Sequence, residues 1–550
     1  MFLSKLSSRQ NIKLLANTQR NFSKLLKSFA TVDPENLSKT NKGFNLIKGQ
    51  WQATENYTEL LDPMNGQVMC QVPNTQYAEQ QVTDLVEDLQ NTPKSGLHNP
   101  FKNKERYLML GEVNRRLVES MQDPEVYKFF VRLLQRTCPK SYTQADGELK
   151  VTVDFFKNFC GDNVRYLASG QRSPGDHAGQ FATGYRFPYG ASAVITPFNF
   201  PLEIPVLQMM GALYMGNKVV VKPDTKTALP LEQFIRLLHE CGLPKEDLSF
   251  IHADGPTTEK ILINGDVRQT LFTGSSRVAE HLCKKLHGKV RIEDAGFDWK
   301  IIGPDVPKTQ QEIDYVAWQC DQDAYGHSGQ KCSAQSILFV HKNWTKKTNL
   351  FKTLEQQAGK RNLKDLTIGP ILTWNNTQIK EHIDACLQIP GAQILFGGKP
   401  LENHQIPEIY GSYQPTAVTV PIQRFKMRKN AKTLLTELFG PFQVIVEYKE
   451  IDDVLQVCEQ MTHHLTAAVV SNDPVFTDYV LQNTVNGCTY HGMRARTTGA
   501  PQNHWFGPSG DPRGAGIGTA EAIQLVWSHH REIVSDVGPI KADWAIPDPK

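Results

Sequence analysis

The spacing of hydrophobic and polar residues divides the chain into regions of different secondary structure. Between residues 76 and 160, apolar positions recur with the helical period, which predicts amphipathic helices at 78–89, 104–120 and 124–137. Residues 35–75 instead show extended segments separated by turn signals. Gly, Pro and aromatic residues are frequent at 170–190, and this composition favours a hairpin or flap.

From residue 193 the pattern changes to short apolar strands followed by turns and helices. The predicted order is strand 193–195, helix 204–214, strand 218–222, helix 231–241, strand 248–251, strand 270–273 and helix 278–286. A second series of this kind runs from about 310 to 490, and 519–540 predicts a helix followed by an extended arm. Such alternation predicts an α/β fold with parallel sheets covered by helices.

Length and composition narrow the class of protein. The chain has 550 residues, 40% of them hydrophobic, and single cores stop growing near roughly 250–300 residues, so we expect more than one domain. The net charge of +3 gives no electrostatic footprint for nucleic acid, and no run reaches the ~18 apolar residues of a membrane span. The ten cysteines show no CxxC pair or metal-ligand spacing, which fits a reducing compartment and predicts no bound metal.

The first 25 residues differ from the rest of the chain. They are basic and Ser-rich, their apolar residues recur at helical spacing, and the first acid is Asp33. This composition is typical of a mitochondrial transit peptide, and Arg20-Asn21-Phe22-Ser23 resembles a processing site. We therefore expect a transit peptide at 1–25 and a mitochondrial matrix location. A disordered basic tail is the alternative.

Cys332 is the candidate nucleophile. It lies in Ser328-Gly329-Gln330-Lys331-Cys332-Ser333-Ala334, between a glycine-bearing turn and two small residues, and an apolar run follows at 337–340. A thiol at the end of a turn is exposed and can be activated, whereas the other cysteines are typical of small buried hydrophobes. His327 is the base nearest to it in sequence.

A reactive thiol needs an oxyanion donor and a base. Asn199 follows the first strand of the α/β series, where an open sheet binds ligands and an amide can stabilise an oxyanion; the alternative is a turn residue. Glu293 follows a short apolar strand and could be a base with a raised pKa. Asp294 beside it is a competing candidate, and both could be surface acids.

Three further segments suit a dinucleotide. Lys222 ends a strand and could reach ribose hydroxyls or a phosphate, unless it is a solvated lysine. Ser275 lies at a strand–helix junction whose free N–H groups suit a pyrophosphate, although the junction lacks GxGxxG. Glu437 could hold ribose hydroxyls and Phe439 could contact a nicotinamide, with a plain helix end as the alternative.

Taken in order, these residues closely resemble the motifs of the aldehyde dehydrogenase superfamily over about residues 40–540. The motifs are Pro197-Phe198-Asn199-Phe200-Pro201, Lys222-Pro223, Phe272-Thr273-Gly274-Ser275, Glu293, Gly329-Gln330-Lys331-Cys332, Glu437-Leu438-Phe439-Gly440-Pro441 and Phe506-Gly507. More narrowly, 329–334 and 496–500 resemble the members that oxidise L-glutamate γ-semialdehyde, in their plant-type branch.

The resemblance implies oxidation of L-glutamate γ-semialdehyde, which is in equilibrium with 1-pyrroline-5-carboxylate, to L-glutamate in proline catabolism, with NAD as cofactor. Cys332 would attack the aldehyde and pass through a thioester, Asn199 would hold the oxyanion, and Glu293 would activate water. The implied NAD contacts are Thr196, Pro197, Lys222, Ser275, Glu437 and Phe439. The implied substrate contacts are Phe200, Ser333, Gly499, Ala500 and Phe506.

The resemblance also implies an aldehyde dehydrogenase-like α/β fold with two parallel-sheet domains and a small oligomerisation β-flap, and therefore a homo-oligomer. The implied ranges are 35–164 and 191–310 for the Rossmann-like NAD-binding domain, 165–190 for the flap, 311–495 for the catalytic domain, 496–518 for the substrate-anchoring loop region, and 519–550 for the C-terminal helix and oligomerisation arm.

The sequence departs from the family pattern in places, and other functions stay open. Thr225 stands where a glutamate often follows the equivalent of Lys222, and the stretch after Glu293 is a few residues longer than usual. One alternative is oxidation of another semialdehyde that carries a carboxylate, such as succinate or methylmalonate semialdehyde. Others are a thiol hydrolase or acyltransferase that uses Cys332 with His327, and an inactive scaffold.

Overall fold

A computed structural model of the chain describes residues 23–294, 296–538, 540, 545–546 and 548–550. Its strands are β1 Asn45–Ile47, β2 Gln50–Gln52, β3 Tyr57–Leu61, β4 Val68–Pro73, β5 Arg172–Pro174, β6 Gln180–Pro188, β7 Ala191–Ile195, β8 Lys218–Lys222, β9 Leu248–Phe250, β10 Gln269–Gly274, β11 Val290–Asp294, β12 Asp298–Ile302, β13 Gln335–His341, β14 Gln393–Phe396, β15 Thr416–Thr419, β16 Phe442–Tyr448, β17 Thr466–Val470, β18 Cys488–His491 and β19 Ser528–Asp536.

The helices are α1 Lys24–Phe29, α2 Gln80–Gln90, α3 Glu105–Ser120, α4 Pro124–Thr137, α5 Tyr142–Asn158, α6 Asn163–Tyr166, α7 Glu203–Tyr214, α8 Leu229–Glu240, α9 Gly255–Asn264, α10 Ser276–Lys285, α11 Gln310–Tyr325, α12 Lys342–Lys347, α13 Leu350–Ala358, α14 Asn376–Leu387, α15 Arg428–Leu434, α16 Ile451–Cys458, α17 Pro474–Gln482 and α18 Ala520–Trp527. The helices and strands predicted between 78 and 286 are confirmed, with ends that differ by at most two residues. No helix among the described residues is long and apolar enough to cross a membrane.

The first seven-stranded sheet has the order β11-β10-β7-β8-β9-β1-β2. Strands β7 to β11 run parallel, and β1 and β2 join antiparallel at one end. The central strands are continuous apolar runs because helices cover both faces. The chain leaves β7 for β8 on one side and returns to β10 on the other, so the carboxyl ends of β7 and β10 flank the point where such a sheet binds ligands.

The second seven-stranded sheet has the order β14-β15-β16-β13-β12-β17-β18 and is parallel except for β14. Only a short connection joins β11 of the first sheet to β12 of the second. The carboxyl end of β11 therefore lies at the amino end of β12. The predicted α/β fold with two parallel-sheet parts is confirmed.

A third, antiparallel sheet has the order β19-β6-β5. Strand β6 pairs with β19 from Gln180 with Asp536 to Pro188 with Ser528, so the region predicted as a flap is joined to the C-terminal arm. The arm follows α18 directly, which confirms the helix and extended segment predicted for the tail. Oligomerisation through this sheet stays a prediction.

The described chain begins with a packed segment. The Ser23 side chain accepts a hydrogen bond from the Leu26 backbone N–H, and the Phe29 ring stacks on Phe130 with centroids 5.8 Å apart. Leu26 and Phe29 are buried. Residues 23–25, predicted as the end of the transit peptide, are therefore part of the fold, and residues 1–22 lie outside the described residues.

Candidate active site

The candidate site lies between the carboxyl end of β11 and the amino ends of β12 and β13. Glu293 is the last residue but one of strand β11, and Cys332 lies just before β13. The connection after β11 packs tightly on the Cys332 backbone, since a Cβ atom on Gly296 would stand 2.3 Å from the Cys332 carbonyl oxygen. This close approach explains why the longer stretch after Glu293 carries a glycine.

The loop that carries Cys332 has an unusual backbone. Helix α11 ends at Tyr325, and three consecutive residues, His327, Ser328 and Gly329, have φ values of 53°, 56° and 70°. A side chain on Gly329 would also meet the Gly440 carbonyl at 2.0 Å. Non-glycine residues rarely adopt this conformation, and strained backbone of this kind is concentrated at functional sites.

Gln330 fastens the loop to its surroundings. Its side chain accepts a hydrogen bond from the Leu372 N–H at 2.7 Å and donates one to the Pro370 carbonyl at 3.0 Å. Its own carbonyl accepts a hydrogen bond from Asn199 Nδ2 at 3.1 Å. The loop is therefore bonded both to the connection between α13 and α14 and to the segment after β7, and Asn199 lies against it.

Cys332 and Glu293 lie side by side. Cys332 is half-buried rather than exposed, and burial raises the pKa of its thiol well above the ordinary value, with the Glu293 carboxylate raising it further. Burial raises the pKa of Glu293 to about 7, while the Cys332 thiol acts in the opposite direction. Neither Glu293 oxygen has a well-formed hydrogen bond to a described residue. Glu293 can therefore gain and lose a proton near neutral pH.

Asn199 has one side-chain N–H bonded to the Gln330 carbonyl, and a second N–H remains for another acceptor. The backbone carbonyl of Asn199 accepts a hydrogen bond from Lys140 Nζ at 2.8 Å. Lys140 is itself paired with Glu148 at 2.7 Å, and both side chains are fully buried. Burial alone would lower the pKa of Lys140, but the Glu148 carboxylate outweighs it and the pKa is raised. A buried cation thus fixes the backbone of Asn199.

The position of His327 in the sequence suggests a base for Cys332, but its side chain is bonded to other residues. Its Nε2 lies 3.0 Å from the Asn199 carbonyl oxygen and 3.5 Å from Cys138 Sγ. Burial lowers the pKa of His327 well below its ordinary value, so the ring is neutral. Among the described residues it has no hydrogen bond to Cys332, which disfavours a thiol hydrolase with His327 as base.

The loop 497–500 is bonded to the Cys332 loop. Thr497 Oγ1 donates a hydrogen bond to the Ser333 carbonyl at 2.7 Å, and the Ser333 and Thr498 hydroxyls are 3.1 Å apart. Lys331 Nζ donates to Thr498 Oγ1 at 3.0 Å, and burial lowers its pKa to about 8. The predicted substrate residues Ser333, Gly499 and Ala500 are therefore brought together, with a cationic side chain beside them.

The two predicted aromatic contacts lie on different sides of this region. The Phe200 ring packs against His327, with centroids 5.8 Å apart, and Lys140 Nζ lies 4.8 Å from its centre. Phe506 is buried in the apolar cluster against which Cys332 packs. Phe506 therefore belongs to the cluster that Cys332 contacts, and Phe200 packs on His327 of the loop that carries Cys332.

The predicted dinucleotide contacts lie at the carboxyl ends of the central strands of the first sheet. Thr196 and Pro197 follow β7, Lys222 ends β8, and Ser275 precedes α10. The Thr196 hydroxyl is buried without a partner among the described residues, and Ser275 does not cap its helix. Burial lowers the pKa of Lys222, whose ammonium has no hydrogen bond to a described residue. Unpaired donors at a switch point and a free helix N-terminus fit a dinucleotide.

Glu437 and Phe439 approach from the second sheet, just before β16. Burial raises the pKa of Glu437 well above its ordinary value, and its charge in turn raises the pKa of Cys332. The Phe439 ring meets Phe198 edge-on, with centroids 5.9 Å apart, and its backbone φ is 54°. These two residues therefore lie between the thiol and the edge of the first sheet.

Sequence reasoning gave no role to Lys331, Thr498, or the buried pair Lys140 and Glu148. Lys331 and Thr498 lie inside the motifs at 329–334 and 496–500. A lysine and a threonine next to a proposed carboxylate site could therefore have been predicted to contribute to it. The Lys140–Glu148 pair gave no such signal, because Glu148 lies on an ordinary amphipathic helix. Within the part of the chain that the structure describes, no group of three or more His, Cys, Asp or Glu residues could hold a metal ion.

Comparison with known proteins identifies the family of the chain. The sequence model of the aldehyde dehydrogenase family matches residues 51–518, so the chain belongs to the aldehyde dehydrogenase family, whose members are oxidoreductases that use NAD or NADP.

Two relatives share more than half of their aligned residues with this chain. The chain is 56% identical to Delta-1-pyrroline-5-carboxylate dehydrogenase 12A1, mitochondrial, of Arabidopsis thaliana, over 94% of this chain and 93% of the relative. It is 55% identical to a probable aldehyde dehydrogenase of Linum usitatissimum, over 94% of each chain. Among solved structures, methylmalonate-semialdehyde dehydrogenase from Oceanimonas doudoroffii matches with a TM-score of 0.76 and 20% identity, over 91% of this chain and 99% of that one. This last similarity supports the fold.

Proposed function

We propose that the chain oxidises L-glutamate γ-semialdehyde to L-glutamate with NAD+ through a thioester on Cys332. The observation that carries the proposal is the thiol of Cys332 beside a carboxyl group, Glu293, whose pKa is about 7. The substrate follows from the Arabidopsis relative, whose name is that of a Δ1-pyrroline-5-carboxylate dehydrogenase. The open-chain form of that compound is the semialdehyde.

The first step joins the thiol sulfur to the aldehyde carbon. The Cys332 proton passes to Glu293, the S–C bond forms, and the aldehyde oxygen becomes an oxyanion. The free side-chain N–H of Asn199 and the backbone N–H of Cys332 donate to this oxyanion. Lys140 and Gln330 contribute by fixing Asn199, because a preorganised donor needs no reorganisation when the charge develops.

The second step removes a hydride from the former aldehyde carbon and leaves a thioester. A bound nicotinamide dinucleotide supplies the hydride acceptor. Thr196, Pro197, Lys222 and Ser275 would hold it along the edge of the first sheet, and Glu437 with Phe439 would place it toward the thiol. Thr225 stands where a glutamate would favour NAD over NADP, so this position does not select between the two cofactors. We propose NAD from the overall resemblance to the family.

The last step is hydrolysis. After its proton has passed to solvent, Glu293 takes a proton from water, the hydroxide adds to the thioester carbon, and the C–S bond breaks. Glu293 then returns the proton to the departing thiolate, which restores the thiol as the carboxylic acid leaves. The absence of a fixed hydrogen-bond partner on Glu293 leaves its oxygens available to the thiol in one step and to water in the other.

The α-carboxylate of the substrate would bind Ser333, Gly499 and Ala500. A hydroxyl and backbone N–H groups suit a carboxylate, and the Lys331 ammonium near Thr498 adds a favourable charge. Phe200 and Phe506 would flank the methylene groups. We further propose a mitochondrial matrix location, which the name of the Arabidopsis relative supports. We also propose a homo-oligomer that uses the β5–β6–β19 sheet, which the paired C-terminal arm supports.

The purified protein mixed with the semialdehyde and NAD+ tests this function. We expect NADH absorbance to rise and glutamate to form in equal amount. Succinate semialdehyde and methylmalonate semialdehyde serve as matched competitors, and a higher kcat/KM for either would replace the proposed substrate. Absence of NADH with every semialdehyde, together with hydrolysis of an activated ester that depends on Cys332, would support a thiol hydrolase instead.

A further inference from the structure

Two polar aromatic side chains, Tyr490 and His504, form a pair on the outer side of the 497–500 loop. Tyr490 lies in β18, and His504 follows the loop in sequence. Tyr490 Oη is 2.7 Å from His504 Nε2, and the rings meet at 82° with centroids 5.7 Å apart. Both side chains are half-buried, so the hydrogen bond is partly protected from water.

The pair is pressed against Gly499. A Cβ atom on Gly499 would stand 1.9 Å from Tyr490 Oη and 2.7 Å from His504 Cε1. The backbone of Gly499 is not in the left-handed region, so conformation does not require a glycine here. The close approach of the two side chains requires it, and Gly499 therefore rests directly on the pair.

The direction of the hydrogen bond follows from the environment. Burial and the Arg496 guanidinium lower the pKa of His504, while the Ala500 backbone carbonyl opposes them, so the imidazole is neutral at physiological pH. His504 Nδ1 faces Asn503 Oδ1 at 2.5 Å and must be the protonated nitrogen. Nε2 is then the acceptor and the Tyr490 hydroxyl the donor, which fixes both rings relative to one another.

The loop is thus held from two sides. Its inner residues, Thr497 and Thr498, are bonded to Ser333 and Lys331 of the catalytic loop. Its outer side rests on Tyr490 and His504. The inner bonds end at Thr498, and the Ala500 carbonyl accepts a hydrogen bond from the Asn503 N–H at 3.1 Å. Between these two anchors, Gly499 rests on the outer pair.

We propose that Tyr490 and His504 are positioning residues that hold Gly499 and Ala500 in place for the substrate carboxylate, and so set the preference for aldehydes that carry a carboxylate. This inference rests on the proposed function, because Gly499 and Ala500 are the proposed carboxylate contacts. Neither side chain has a role in the chemistry at Cys332.

Removing the hydroxyl with Tyr490→Phe tests the proposal. We expect KM for the semialdehyde to rise about tenfold with kcat within about twofold, since one hydrogen bond is lost and Nε2 is left unpaired. KM for NAD+ and kcat/KM for pentanal, an aldehyde without a carboxylate, should not change. Tyr479→Phe removes a hydroxyl that is bonded to Asp452 on the surface, and is the matched control.

A second set of variants tests the acceptor and the contact. His504→Gln keeps an acceptor and should raise KM less than His504→Ala does. Gly499→Ala should raise KM strongly, and Tyr490→Phe combined with it should have less effect than the product of the two single changes, because both act on one contact.

Three results would overturn the proposal: an unchanged KM in Tyr490→Phe, an equal loss with pentanal, or a full effect in His504→Gln. Failure of the proposed function is separate, because it would be seen in the wild-type enzyme. If the wild type preferred another semialdehyde with a carboxylate, that compound would replace glutamate γ-semialdehyde in the test. Tyr490→Phe should then lower kcat/KM for that compound and leave kcat/KM for pentanal unchanged. A variant that does not fold is replaced by His504→Gln and His504→Ala, which test the same hydrogen bond from its other end.

Discussion

The thiol side and the dinucleotide side of the site differ in how far the protein satisfies their polar groups. On the thiol side, Gln330, Ser333 and Lys331 are each bonded to another part of the chain. On the dinucleotide side, the Thr196 hydroxyl is buried without a described partner and the Lys222 ammonium makes no hydrogen bond to a described residue. Folding alone therefore fixes the loop that carries the thiol and leaves the Glu293 carboxyl group unpaired for the reaction, while the polar groups of the second region are available to a ligand.

This difference separates two kinds of effect. A change on the thiol side removes either a reacting group or a bond that fixes one, so we expect losses in kcat. A change on the dinucleotide side removes a contact to a ligand, so we expect losses in apparent cofactor affinity. Variants on each side test this division, which fails if the two sides respond alike.

Cys332→Ala gives the largest expected effect. Turnover should fall by at least about 10^4-fold, since no other group can form the thioester. Dinucleotide binding, measured by calorimetry, should stay within about twofold of the wild type. Cys458→Ala, at a buried cysteine of α16, is the control and should keep turnover. Near-normal activity in Cys332→Ala would show that another group is the nucleophile.

Asn199→Ala should lower kcat by about 10²- to 10³-fold, because removing one oxyanion donor has an effect of this size. KM for NAD+ should change little. A rise in that KM with kcat preserved would move Asn199 from the thiol side to the dinucleotide side.

The pH profile of deacylation follows from the pKa of Glu293, which is about 7. The base must be ionised, so the rate should fall about tenfold for each pH unit below that value and level off above it. Stopped-flow measurement of steady turnover after the NADH burst would show this. A flat profile between about pH 5.5 and 7.5 would exclude Glu293 as the base.

Lys222→Ala gives the smallest expected effect. KM for NAD+ should rise about tenfold with kcat within about threefold, because one hydrogen bond to a charged group contributes about 1.5 kcal/mol. Lys260→Ala, an exposed lysine on α9, is the control. A loss in kcat as large as that of Asn199→Ala would contradict the division between the two sides.

Much of the fold could be predicted because burial leaves a periodic record in the sequence. The apolar runs at β7, β8 and β10 predicted a sheet that is covered by helices on both faces. Helix α9 was missed because its first residues, Gly255 and Pro256, indicate a turn, although Asp254 caps the helix and proline is well suited to its first turn.

The site was predictable only where a segment carries its own motif. Cys332 and Asn199 could be identified from local sequence and its resemblance to a family. The bond from Lys140 to the Asn199 carbonyl and the bond from Tyr490 to His504 could not, because each forms between segments that only the fold brings together. His327 shows the reverse case, since proximity in sequence suggested a base and its side chain lies elsewhere.

The most direct test of the account is to trap the thioester in Glu293→Gln. This variant should release one equivalent of NADH per site and then stop. The release should be slower than in the wild type, because the Cys332 proton must pass to water instead of Glu293. Peptide mass spectrometry should find one glutamyl group on Cys332. Neutral hydroxylamine should remove it. A variant that turns over at the wild-type rate, or an NADH burst with the adduct on another residue, would contradict the claim that Cys332 forms the thioester and Glu293 directs its hydrolysis.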